Sequence, residues 1–165
     1  MITAPAARAA TAVSAAVVVA LLAGGCEGKT NSTPAAPAWN PCTAFPESAL
    51  QNAGLDPKTQ DRIPGMCSWS GSTHYRVDIR YLTKASGANW QLGHTDITSI
   101  KISPYAGHTF HDARENSNYL CGLQLETRGA DVTFEVTNSL LQDEDPCAVA
   151  TRIATGLKDY LPAAP

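Results

Sequence analysis

Charge is scarce in this 165-residue chain, at 16% Asp, Glu, Lys and Arg against about a quarter in an ordinary soluble protein. The 12 basic side chains are outnumbered by 15 acidic ones, for a formal net charge of -3, and they form no stripe along the sequence. A phosphate backbone would find little to neutralise it, which argues against a nucleic-acid partner. The chain also lacks a Cys-x-x-Cys pair, a Gly-x-Ser-x-Gly elbow and a phosphate-cradling glycine loop. Zinc-ribbon chemistry, an elbow-type serine hydrolase and a P-loop nucleotide site therefore have no sequence support. No apolar run reaches the roughly 20 residues that a membrane-crossing helix needs. The length suits one domain and excludes a large multidomain enzyme.

What is present begins with an address. Met1 to Arg8 carries one positive side chain, and Ala9 to Leu22 is an almost uninterrupted apolar run of 14 residues. Small residues Ala23, Gly24 and Gly25 then lead into Cys26. A charged start, a short apolar stretch and a small-residue end make a secretory signal. The thiol directly after Leu22-Ala-Gly-Gly25 resembles a bacterial lipobox, although Ala23 stands where a larger aliphatic is usual. In such a box the cysteine sulfur takes a diacylglycerol and the chain is cut before it, so residues 1–25 are expected to be removed. Two signals anchor stably where one acyl chain does not. Residues 26–39 are read as lipidated Cys26 followed by a flexible tether rich in Pro, Ala and Thr. Extended, it spans up to about 40 Å.

With Cys26 assigned to lipid, Cys42, Cys67, Cys121 and Cys147 remain, an even number in a chain bound for an oxidising compartment. Four cysteines allow three connectivities. Their surroundings favour Cys42 with Cys67 and Cys121 with Cys147, each pair joining a helix start to a strand. Asn40-Pro41-Cys42 and Asp145-Pro146-Cys147 repeat one design: a capping side chain, a proline with preset φ, then cysteine in the first turn. Closing either loop would stabilise by roughly 3 kcal/mol on the chain-entropy estimate.

Residues 40–165 are read as a single globular domain. Pro46 to Ala53 reads as a short helix ended by Gly54, and Tyr75 to Tyr81 alternates with Tyr75, Val77, Ile79 and Tyr81 inward. Asp96 to Ile102 is another strand, and residues on either side of Arg128-Gly129 form a hairpin with Leu123, Leu125, Val132, Phe134 and Val136 on one face. Asp145 caps a last helix in which Val149, Ile153, Leu157 and Tyr160 recur at helical spacing. The expected fold is α+β: a curved antiparallel sheet of about five strands with an N-terminal and a C-terminal helix and two disulfides.

The lipobox, the tether, Pro41-Cys42, Cys67-Ser68-Trp69, the Cys121 hairpin and Asp145-Pro146-Cys147 before Tyr160-Leu161-Pro162 together resemble a known family. It is the group of actinobacterial lipoproteins classed as domain of unknown function 3558. The resemblance runs from about Asn40 to Pro162 and is strongest at both ends. Phe45 departs from the capping Thr or Ser usual before Pro46. The resemblance implies place and fold, and supplies no catalytic residue.

All four histidines fall between His74 and His111. On a strand the odd step from His108 to His111 puts them on opposite faces, so the segment predicts no metal site and no cofactor. No catalytic residue is assigned, and the chain is read as a non-enzyme. Trp90, in a polar Gly-containing stretch, with Tyr105, His108, Phe110 and His111, marks a candidate binding surface. The expectation is an exported envelope protein, held on the extracytoplasmic face of the cell membrane through palmitate-bearing Cys26. It would act as a non-catalytic binding or accessory module for an envelope protein or ligand. The alternative is a carrier or sensor of a lipid-like or other small envelope molecule.

Overall fold

The computed structural model describes residues 39–71, 75–83, 93–112, 119–138 and 144–165. The segment read as a signal peptide, the Cys26 expected to carry lipid and the expected tether before Trp39 lie outside the described residues, as do His74 and Trp90. Asn40 accepts the Cys42 N–H on its side chain at 2.9 Å, which caps α1 (Pro41–Ala44). A second short helix, α2 (Glu47–Asn52), follows Pro46, which offers no side-chain cap. Ala49, Leu50 and Ala53 turn into the core.

Seven antiparallel strands come next: β1 (Asp61–Ile63), β2 (Met66–Ser70), β3 (Tyr75–Thr83), β4 (His94–Ile102), β5 (Tyr105–Asp112), β6 (Leu120–Glu126) and β7 (Ala130–Asn138). They form one open sheet in the order β1-β2-β3-β7-β6-β5-β4. The described chain ends in α3 (Pro146–Leu157), the one long helix among the described residues, and a 3-10 turn at Lys158–Tyr160. Asp145 caps α3 as Asn40 caps α1, accepting the Cys147 N–H at 3.1 Å.

This corrects the expectation of about five strands flanked by an N-terminal and a C-terminal helix. Among the described residues the sheet has seven strands, and the N-terminal side carries helical turns of four and six residues. Two strands escaped the pattern for different reasons. β1 has three residues, all exposed, too few to display a period. β5 pairs with neighbours on both sides, yet Gly107, Thr109 and His111 share one of its faces, so it shows no apolar alternation.

Register fixes which side chains meet. Cys67, Trp69, Val77, Ile79, Val132, Phe134, Val136, Leu123 and Leu125 fall on one face by cross-strand pairing, and α3 packs on that face over β6 and β7. Val149, Ala150, Ile153, Ala154 and Leu157 supply the helix side of the core. Each large aliphatic removed from water there contributes about 1.5–3 kcal/mol. Gly156 lets α2 come near, since a Cβ at that position would stand 3.3 Å from the Ala53 Cβ. The two cysteine pairs, Cys42 with Cys67 and Cys121 with Cys147, each hold their Cα atoms 5.2 Å apart at disulfide distance and tie α1 to β2 and α3 to β6. Among the described residues no helix is long and apolar enough to cross a membrane.

Candidate functional site

Strand alternation sends every second side chain away from the helices, and on this sheet that face is polar. Ser68, Asp78, Glu135 and Gly122 stand in one row across β2, β3, β7 and β6, and the register brings Phe110 of β5 to the end of it. The adjacent row holds Met66, Arg80, Thr133, Gln124, His108 and Ser99. Polar side chains pointing away from a core are ordinarily solvated. Here Ser68 is 2% exposed, Thr133 6%, Gln124 8% and Asp78 9%. No described helix packs over them.

Burial on that scale requires hydrogen-bond partners, and the face supplies them. The Ser68 hydroxyl donates to Asp78 Oδ1 at 2.5 Å, and Arg76 closes the triangle by donating to Asp78 Oδ1 at 2.9 Å and to Ser68 Oγ at 2.8 Å. Arg80 donates to Glu135 Oε1 at 3.4 Å, and Gln124 Nε2 donates to Asp131 Oδ2 at 2.8 Å. Asp78 and Glu135 lie directly opposite each other on β3 and β7. Burial pushes the Glu135 carboxyl above the usual range, the Asp78 and Asp112 charges add to the rise, and Arg80 and His94 oppose it. Glu135 thus holds a proton more readily than a surface glutamate.

At the far end Phe110 is buried outside the main core, against the His94 ring at a centroid distance of 4.2 Å. Its ring lies over Gly122, where any Cβ would stand inside van der Waals contact of it. The glycine is a seat for the aromatic side chain. The buried groups hold in place the ones that stay accessible on this face: the Arg76 and Arg80 side chains are 45% and 40% exposed, and His108 is half-buried.

The structure divides the residues that the sequence grouped as one binding surface. His108 and Phe110 are on this polar face. Tyr105 and His111 are on the helix face, because residues of one strand two apart share a side and odd steps do not. The Tyr105 hydroxyl donates to Pro162 O at 3.0 Å and faces Lys158 O at 3.3 Å, fastening the chain after α3. Burial first and the Asp159 charge second raise its phenol above the usual value. His111 sits beside Cys147, with Nε2 at 3.6 Å from Sγ and Nδ1 at 2.8 Å from Leu120 O. His111, Cys121 and Cys147 bring their ligand-type atoms within 4.8 Å of one another, but two sulfurs bonded to each other are not thiolate ligands.

Sequence reasoning missed Ser68, Asp78, Thr133, Gln124 and Glu135 as site residues. Their alternation with Val77, Ile79, Leu123, Phe134 and Val136 placed them away from the core, and nothing in the sequence distinguished a buried polar face from a wet one.

By fold and site this is a disulfide-bearing domain built on an open antiparallel sheet, with a helix on one face and a buried polar network on the other. The chain belongs to the family described as Protein of unknown function (DUF3558), whose model matches residues 3–158. No curated protein and no solved structure gives a significant match.

Proposed function

We propose that this chain is an actinobacterial-type lipoprotein, exported and anchored by diacylated Cys26 on the extracytoplasmic side of the membrane. Its domain acts as a non-catalytic binding module for an envelope protein. The signal-like start and Leu-Ala-Gly-Gly-Cys sequence support the address. The part-exposed Arg76, Arg80 and His108, held in place by the buried polar rows on the face that no described helix covers, are the observation that carries the binding role, since groups ordered in advance recognise a partner without reorganising first. His108 and Phe110 belong to that surface, while Tyr105 and His111 do not. A lipid carrier would need an apolar cavity, and the layer between helix and sheet is occupied by Trp69, Phe134, Leu123 and Ile153.

The test uses the full chain in intact cells with two readouts. Palmitate labelling and membrane fractionation are expected to be lost in Cys26→Ser, and label retained by that variant would refute the anchor. Exposed Lys101 lies two residues beyond Ser99 on β4 and so on the same face, and crosslinking is expected to give one discrete protein adduct that disappears with Lys101→Glu combined with His108→Asp. An adduct that survives both changes, or a small-molecule mass excess lost on denaturation with no protein adduct, would overturn the binding reading.

A further inference from the structure

The two disulfides share a backbone design and differ in what faces the helix-borne sulfur. Cys42 Sγ lies 3.6 Å from a carbonyl oxygen, that of Met66. Cys147 Sγ lies at the same distance from His111 Nε2. The Leu120 carbonyl at Nδ1 can only accept, so Nδ1 carries the ring proton and Nε2 presents a lone pair to the sulfur. Cys147 is the second residue of a 12-residue helix and is half-buried, whereas Cys121 is fully buried. An incoming thiol therefore meets Cys147 first, and a thiolate formed there has a base and a helix start beside it.

We propose that Cys121–Cys147 with His111 is a thiol–disulfide exchange site for a dithiol, and that Cys42–Cys67 is structural. One thiolate of the dithiol attacks Cys147 Sγ, forming a mixed disulfide and breaking the bond to Cys121. The electron pair goes to Cys121 Sγ, which takes up the proton released by that first thiol. The second thiolate of the dithiol then closes on its own partner sulfur and expels Cys147 as a thiolate, with the second proton held at His111 Nε2. The dithiol leaves as a disulfide, and the protein has gained two electrons and two protons. The thiolate–imidazolium pair stabilises the reduced form, which makes this disulfide the more readily reduced of the two. Among the described residues, Asp145 caps α3 and accepts from Cys147 N, and Asp112, the next residue on β5, is turned to the opposite face.

The experiment titrates the full chain with dithiothreitol, traps free thiols by alkylation and maps the peptides. Cys121–Cys147 is expected to open at a lower ratio of dithiothreitol to its oxidised form than Cys42–Cys67. Once open, Cys147 is expected to be alkylated fastest at neutral pH. His111→Asn can keep a donor to Leu120 O while losing the base. It is expected to move opening of that pair alone to about tenfold higher ratio, about 30 mV, and to slow Cys147 alkylation about tenfold. Simultaneous opening of both pairs in the unaltered chain would overturn the proposal without any variant. So would His111→Asn leaving Cys147 alkylation unchanged.

Discussion

Glu135 shows how a single position can look ordinary in sequence and be unusual in place. It occupies a strand position facing away from the core, where glutamate is normally solvated, yet it is largely buried opposite Asp78 and its carboxyl is raised above the usual range. A carboxyl that holds its proton more tightly folded than unfolded costs stability as pH rises from the unfolded value through the folded one. Above that window the cost is constant, and below it the cost vanishes. Glu135→Gln is therefore expected to gain stability relative to the unaltered chain as pH rises through that window towards neutrality, and to converge with it in acid. Urea unfolding across a pH series checks this, and a gain that grows towards acid would contradict the sign. Tyr105 is the opposite case: an aromatic residue in a polar stretch that read as surface is a buried fastener whose hydroxyl reaches Pro162 O.

At the scale of elements, legibility followed length and apolar period. β3, β6, β7 and α3 could be read because each repeats large apolar side chains at period 2 or 3.6 over seven or more residues. The caps were legible too, since Asn40-Pro-Cys and Asp145-Pro-Cys signal helix starts by local chemistry alone. β1 and β5 were not, because their pairing is decided by neighbouring strands and not by their own pattern. Since α3 carries the helix side of the core, its cap matters to the whole domain. Asp145→Ala is expected to lower stability by about 1 kcal/mol in chemical denaturation, and Asp145→Asn, which still accepts from Cys147 N, by clearly less. Equal losses would show that the charge and not the hydrogen bond is what counts.

Across the whole molecule the two ends of the domain close against each other. The Trp39 indole N–H donates to Tyr160 O at 3.0 Å, and Phe45 meets Trp39, Trp69 and Tyr160 edge to face. Beyond α3, Leu161 is buried and Arg128 N donates to Ala163 O at 2.8 Å. Ending the chain after Leu157 is expected to cost at least about 1.5–3 kcal/mol from the loss of Leu161 burial, seen as a lowered thermal midpoint. An unchanged midpoint would mean that the tail is dispensable.

The sequence by itself determined the local features: the signal-like start, the spacing of cysteines beside capped helix starts, and the apolar faces of the longer strands and the last helix. Each is set by residues within a few positions of one another. Only the tertiary structure decided the seven-strand order, the polar face buried along β2, β3, β7 and β6, and the placing of His111 against Cys147. Those depend on register between strands distant in the chain, where a one-residue shift moves every side chain to the other face.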